Sequence, residues 1–371
     1  KLTIGNYGLK QAQLIGDYSL GENVFTKLVL NQKKRGGYVN NTDSPYQAAQ
    51  GVVPNKTASH LELDTIDSEG MKFSVLFDGE DTSLNLSFDR TEQKNIPPFA
   101  QLTNTIPNWS SAFGVGASPL TGGLKLWPIE MFVNEKRQGV AHINTQTLET
   151  SVVTGRSLTL THSLGIGELK AIWSKRKVDW DDVLDLDGGP FPIAETERHT
   201  KYDAETLEIQ LSGSSDSLEY VIGYYELKDD AYTANPQSYF GGGSAITQNY
   251  SGTSDAKAFF GQVTWSVADK WDLTVGARKT EEDKTGFKEY VGIFGQNGQG
   301  SFDDTSSTFI VSHDYSDNTN LYFKLADGFK AGGINAEAPT PFESLKPYAP
   351  ETIESTELGL KGRYFDNRLM L

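Results

Sequence analysis

The feature that most constrains this chain is a period of two. In 257-KAFFGQVTWSV-267, Phe259, Gly261, Val263, Trp265 and Val267 share one phase, while Phe260, Gln262, Thr264 and Ser266 share the other. In 206-TLEIQLSG-213, Leu207, Ile209 and Leu211 oppose Glu208, Gln210 and Ser212. The same alternation runs through 273-LTVGARKT-280, 322-YFKLADGFK-330 and 357-ELGLKGRYF-365. Successive side chains of a strand point to opposite faces, so these stretches read as strands with one apolar and one polar face. A soluble sandwich gives the same pattern, and alternation alone does not decide between the two.

The connections separate them. Short turns stand at 21-GEN-23, 165-GIG-167, 214-SSDS-217, 268-ADK-270, 316-SDN-318 and 366-DN-367. Between them lie long polar connections, near 37–69, 93–150, 181–201, 230–254, 285–304 and 330–350. Long unstructured loops are uncommon in compact soluble domains, and six on one schedule speak against such a domain. Short turns at one end and long loops at the other describe a transmembrane β-barrel.

On that schedule 58–66 belongs to an outer loop, and strands fall near 6–20, 24–36, 70–78, 83–92, 152–164, 168–180, 202–213, 218–229, 255–267, 271–284, 305–316, 319–329 and 351–365. A last one starts at 368, about fourteen in all. Aromatics gather at strand ends (Trp173, Trp180, Tyr224, Tyr225, Trp265, Trp271, Tyr315, Tyr322, Tyr364, Phe365), as interface girdles do.

Composition is compatible with this. A length of 371 residues suits two or three ordinary domains or one large β structure. The formal net charge of −16 argues against a nucleic-acid partner held through phosphates. With no cysteine, disulfides, thiolate metal sites and a Cys nucleophile are excluded. No run of apolar residues is long enough for a transmembrane helix, which says nothing against a barrel wall. The start, KLTIGNYG, carries no charged-then-apolar leader.

Sites of chemistry are few. His60, His142, His162, His199 and His313 are scattered, without the spacing of a zinc site or a triad, and no catalytic residue, cofactor or metal is expected. The run 179-DWDDVLDLDGG-189 resembles a calcium loop at Asp185, Asp187 and Gly188, but Val183 cannot ligate and no Glu closes the loop. A solvated outer loop is the expectation there. The glycine pairs at 188–189 and 332–333, like the triple at 241–243, lack a strand–helix context for phosphate and read as flexible loop or turn positions. The polar phase carries Glu208, Gln210, Gln262, Arg278, Lys324, Glu357, Lys361 and Arg363. An Arg or Lys facing lipid at mid-bilayer costs about 2–4 kcal/mol, so these face the lumen or a rim. They either line a ligand path or form cross-strand ion pairs. Lys33, Lys34 and Arg35, at a strand's outer end, meet lipopolysaccharide phosphates or solvent.

Three blocks then resemble one family. The pair 327-DGFKAGGIN-335 and 350-PETIESTELGLKGRYFDNRL-369 is similar to a segment of TonB-dependent outer-membrane receptors, with Ala326-Asp327 and Ile334 as departures. The hairpin 258-AFFGQVTWSVADKWDLTVGARKTEEDK-284, and 5-GNYGLKQAQLIGDYSL-20 with 37-GYVNNT-42, resemble further parts of the same barrel in order. The resemblance implies an all-β, antiparallel transmembrane barrel, partial here, with about fourteen of the family's 22 strands. It implies that 1–371 is one incomplete barrel domain, its N-terminal plug and last strands absent. The function implied is energy-coupled import of a scarce small-molecule ligand such as a ferric siderophore, with TonB engaged through the missing N-terminal region and lipids of the bacterial outer membrane around the wall. Cobalamin or oligosaccharide receptors of the family and an ungated porin are the alternatives. A soluble sandwich or propeller, or an outer-membrane hydrolase, finds no repeat or clustered catalytic residues in its support.

Overall fold

A computed structural model describes residues 1–42, 61–105, 132–239, 244–336 and 345–371. One antiparallel sheet dominates. Its strands are β1 (Leu2–Ile4), β2 (Lys10–Ser19), β3 (Val24–Arg35), β6 (Ile66–Asp78), β7 (Thr82–Asn95), β9 (Leu148–Leu164), β10 (Gly167–Asp185) and β11 (Ala194–Ser214). It continues through β12 (Leu218–Tyr239), β13 (Ser244–Ala268), β14 (Trp271–Tyr290), β15 (Phe294–Ser316), β16 (Thr319–Lys330), β19 (Glu351–Tyr364) and β20 (Leu369–Met370). All fifteen lie side by side in chain order. All fourteen expected strands are present, joined by the short β1.

Register turns the alternation into two faces. Trp265, Leu273, Val311, Phe323 and Leu358 lie on one lateral row, and Val263, Val275, Phe309 and Leu325 on the next. Followed the other way, that face carries Ile209, Leu158, Leu86, Phe73 and Leu28. Many of these side chains are exposed: Phe259 by 67%, Ile222 by 52%, Leu358 by 84%. An unbroken apolar band across the whole sheet is far more than a water-soluble surface carries, and a bilayer is the solvent that suits it. The opposite face is wired by hydroxyls: Ser87 to Ser157 at 2.7 Å, Ser174 to Thr206 at 2.7 Å and Thr264 to Thr274 at 2.9 Å.

Along β13 the apolar band runs from just below Lys257 to Val267. Ten residues at about 3.4 Å each, tilted about 40°, give roughly 26 Å, the height of a barrel's apolar belt. Tyr18, Tyr220, Trp265 and Trp271 edge this face toward the short turns. Trp180, Tyr225 and Tyr322 belong instead to the polar face, so they are not girdle residues.

Three connections differ from expectation. The chain stays paired far beyond the band, so the described residues of 181–201, 230–254 and 285–304 are mostly strand, with links at 186–193 and 291–293. Both phases there mix Ser, Thr, Asn, Gln and Gly with charged residues and Tyr, because water lies on both sides, and no apolar phase announces a strand. β6 likewise starts at Ile66 rather than 70.

The two early loops meet in a separate small sheet of β4 (Val39–Asn41), β5 (Glu62–Leu63) and β8 (Val140–Ala141). Val39, Leu63, Ala141 and Ile143 form its buried core. The buried Asn41 side chain donates to the Ile143 carbonyl at 3.0 Å and accepts the Ile143 N–H at 2.9 Å, tying loops a hundred residues apart.

Candidate functional site

The register puts all eight singled-out residues on the polar face. They form two groups rather than one. In the first, Glu208 stands opposite Tyr225 and Phe260 opposite Arg278 on neighbouring rows. The Arg278 guanidinium lies 5.6 Å from both the Tyr225 and Phe260 ring centres, and its Nε donates to Thr280 Oγ1 at 3.2 Å. Gln210 donates to Glu208, and Gln262 lies beside Gly276. In the second, Lys324 is opposite Glu357, Tyr322 donates to Glu357, and the Lys361 ammonium is 5.0 Å from the Tyr322 ring centre. Lys361 and Arg363 border a concavity of about 1000 Å³ toward the short turns.

None of the eight makes an ion pair among the described residues, so the cross-strand ion-pair reading fails for them. The wall's ion pairs occupy other positions, several on the outward face: Lys177 to Asp203 at 2.6 Å, Lys228 to Glu226 at 2.8 Å and Lys279 to Glu281 at 2.8 Å.

A third group on the polar face escaped the sequence reading. Above the membrane band, Thr196, Arg198, Asn235, Gln237, Gln248 and Tyr250 line a concavity of about 250 Å³. Asn235 donates to Thr196 Oγ1 at 2.7 Å, Gln237 to Asn235 at 3.0 Å, and Gln248 to Gln237 at 3.2 Å. Arg198 holds the buried Asp182 through Nε at 3.0 Å and Nη2 at 2.5 Å, with the Trp180 ring 4.8 Å away. These residues lie in stretches that read as loop, which hid the strand phase that unites them.

The acidic run is solvated only at Asp179 and Asp181. Asp185 and Asp182 are 5% and 2% exposed. Asp187 accepts from the Gly189, Ile193 and Ala194 N–H groups at 2.9, 3.2 and 3.0 Å, and Asp185 from Gly188 N–H at 2.7 Å. Glu195, paired with Asp185 across the strands, accepts from Asn144 at 2.6 Å and Thr145 at 2.7 Å. Burial first, then the neighbouring carboxylates, push Asp185 up to about 8. Burial raises Asp187 to about 7 against the pull of its backbone donors. Three N–H donors favour the Asp187 anion, whereas the buried Asp185 Oδ2 meets no donor among the described residues, so the proton resides on Asp185. The sequence signal was the alternating Asp pattern, misread because the covering segment 141–147 is distant in the chain.

The glycines serve close approach rather than flexibility. A Cβ on Gly332 would stand 2.2 Å from the Tyr348 carbonyl and 2.4 Å from Phe302, and one on Gly333 2.3 Å from the Tyr348 hydroxyl. This lets β17 (Gly333–Ile334) pair with β18 (Pro347–Tyr348) and lie over the polar face of β14 and β15, where Ile334 and Leu345 cover Gly286. Lys288 on that face is fully buried. Gly188 has φ +68°, and a Cβ there would meet the Ala100 carbonyl at 2.2 Å. The triple 241–243 lies outside the described residues.

The remaining residues have local partners. His142 bonds Thr42 at 3.2 Å, His162 bonds Thr82 at 2.7 Å, His199 bonds Asp181 at 2.8 Å, and His313 stacks on Trp271 at 4.2 Å. His60 lies outside the described residues. Lys34 pairs with Asp67 at 2.9 Å, and Arg35 with Asp64 at 2.9 Å and the Tyr38 ring at 4.0 Å.

An apolar belt of barrel height, short turns at one edge and a polar opposite face define an outer-membrane β-barrel. Residues 132–371 match the family described as "TonB dependent receptor-like, beta-barrel", and the chain belongs to that family. Over 169 residues it is 24% identical to the pesticin receptor of Yersinia pestis, covering 43% of this chain and 24% of that protein. In fold it is similar to the ferric yersiniabactin uptake receptor FyuA from Yersinia pestis, with a TM-score of 0.75 at 12% identity over 97% of this chain and 51% of that one. The ferric-catecholate import receptor Fiu from E. coli, open form, aligns with a TM-score of 0.66 at 13% identity over 100% of this chain and 57% of that one. The chain thus spans about half the length of these solved receptors.

Proposed function

We propose that this chain is the wall of an energy-coupled outer-membrane receptor that imports a scarce ligand, a ferric siderophore. The observation that carries the reading is the polar face above the membrane band. There a concavity lined by amides, hydroxyls and Arg198 is built on paired strands, so its donors are held in place. Receptors for ferric yersiniabactin and ferric catecholates, and a siderophore receptor, share the fold. On this reading Glu208, Gln210, Gln262 and Arg278 face the lumen below that concavity, and Lys324, Glu357, Lys361 and Arg363 line its far end. Residues 1–371 form one barrel domain of a longer receptor, whose further parts fill the lumen and engage TonB. No bond is made or broken; binding energy and externally supplied work move the ligand.

A fold neighbour described as a copper transporter shares the wall, so the wall does not fix the ligand. The test is uptake of radiolabelled iron, as a panel of ferric chelates, by cells with and without the intact receptor gene under iron restriction. Loss of one chelate's uptake on deletion, restored by the gene and abolished by collapse of the proton-motive force, supports the proposal. Energy-independent leakage of unrelated small solutes would make the wall an open pore instead. Retained iron uptake with lost cobalamin or oligosaccharide uptake would reassign the ligand.

A further inference from the structure

The upper half of β15 is a bare edge. The strand pairs with β14 from Trp271 opposite His313 to Tyr290 opposite Phe294, with no shift of register. Its pairing with β16 stops at Thr308 opposite Ala326. Beyond that point β16 continues against β19 alone, as far as Lys330 opposite Glu351, and the strap of β17 and β18 turns inward over the polar face. The last link across the gap is made by a side chain, with Ser307 N–H donating to Asp327 Oδ1 at 2.9 Å. In an antiparallel strand one residue's N–H and C=O point the same way, and successive residues alternate. Ser307 points into the gap, so Gly295, Asn297, Gln299, Ser301, Asp303 and Thr305 do too. Among the described residues none of these has a main-chain partner on that side.

Proteins blunt an edge of this kind with Lys, Pro or a bulge. Residues 294–306 contain no Lys, Arg or Pro, and the ladder to β14 carries no bulge. The stretch stands above the apolar band, on the side of the long connections and thus outside the cell. We propose that this edge takes up an extended cationic polypeptide as an added antiparallel strand. Main-chain bonds supply the attachment, and alternate side chains supply the selectivity. On the outward phase the newcomer meets Asp303, with Asp283 one strand further in, and neither carboxylate has an ion pair among the described residues. On the inward phase Leu345 and Pro347 of the strap lie close over Gly298 and Gly300, which favours small side chains. The fitting sequence therefore alternates Lys or Arg with Ser or Thr. A second copy does not fit. Two barrels upright in one membrane are related by an axis along its normal, so edges tilted about 40° cross at roughly 80° and form no ladder.

The test uses the intact receptor in mild detergent and a fluorescein-labelled octapeptide of alternating Lys and Thr, followed by anisotropy and by amide exchange. Binding should saturate, and exchange at residues 295–305 should slow about tenfold while residues 186–193 keep their rates. Ser301→Pro removes an N–H that faces the gap and leaves the β14 ladder intact, so binding should fall about tenfold. Asp303→Asn should weaken it about threefold. A peptide residue that faces outward opposite Asp303 also exchanges main-chain bonds with it. Methylating the amide nitrogens of every Lys should therefore abolish binding to the wild-type receptor, and methylating those of every Thr should leave it, at the same charge. Binding without protection of 295–305, full binding by Ser301→Pro, or equal binding of the two methylated peptides would each overturn the proposal.

Discussion

Arg198 lays its guanidinium against both oxygens of Asp182, at 3.0 and 2.5 Å, so the one cation among the described residues lining the upper concavity is neutralised from the facing position on β10. The pocket therefore offers hydrogen bonds without net charge. Asp182→Asn would leave Arg198 charged and without its Asp182 partner. We expect it to tighten binding of anionic ferric chelates several-fold and leave neutral ones unchanged. Stability should fall by about 1–3 kcal/mol, less than for a fully buried pair because Arg198 is partly solvated. Isothermal titration with a charged and an uncharged chelate checks this; equal response to both would remove the pocket from the ligand path.

The two faces of β13 give a sharper test of membrane orientation. Val263 lies on the apolar face and Gln262 on the polar one. Val263→Arg should cost about 2–4 kcal/mol of folding free energy in vesicles, and Gln262→Arg close to nothing. Denaturant titration of the two variants reads the difference. Equal costs would mean the faces are assigned the wrong way or not at all.

The buried Asp185 sets a pH dependence for the turn that joins β10 to β11. Its native pKa, about 8, lies above the ordinary carboxylate value, so the folded turn holds a proton that the unfolded chain releases above about pH 4. Its stabilisation is full below about pH 4 and is lost as pH rises toward 8. Amide exchange over 186–194, corrected for intrinsic rate, should quicken across that window, and Asp185→Asn should shrink the change, the remainder belonging to Asp187, itself raised to about 7. A turn that loosens toward low pH would have the sign reversed.

Gly332 and Gly333 hold the strap of β17 and β18 against the polar face. Gly332→Val places methyl groups where the Tyr348 carbonyl and Phe302 already stand, so the strap should lift. Reductive methylation of Lys288, fully buried under wild-type conditions, would then rise several-fold while Lys228 is unaffected. Unchanged Lys288 reactivity would mean the strap tolerates a side chain at that point.

The number, order and facing of strands could be read wherever one phase is apolar, because lipid on one side enforces the pattern that Phe259, Val263 and Trp265 display. Thr247, Asn249 and Ser251 carry no such mark, since water bathes both sides, and their strand extends unseen from the period alone. The same blindness hid Arg198, Asn235 and Gln248, which only strand pairing brings onto one face. Asp185 failed for another reason. Its cross-strand neighbour Glu195 is held by Asn144 and Thr145, from a segment some fifty residues away. Gly332 was legible as special but not as a contact, because Tyr348 and Phe302 approach it from other strands.

Each strand of the large sheet pairs with its neighbour in the chain. Assembly can therefore proceed as a zipper, with the entropy of each new tooth set by the length of one connection. Beyond β9 most of those connections are a few residues long. The expensive closures are the two that carry the chain from β3 to β6 and from β7 to β9, and these are the loops that Asn41 and Ile143 clasp together. Asn41 and Ile143 are 102 residues apart, so their clasp closes a longer span than either loop and follows the pairing of the strands between them. The small sheet thus acts as a late lock on the wall, and Asn41→Ala should lower the final stability more than it delays insertion of the first strands, which pulse-labelled folding into vesicles would measure.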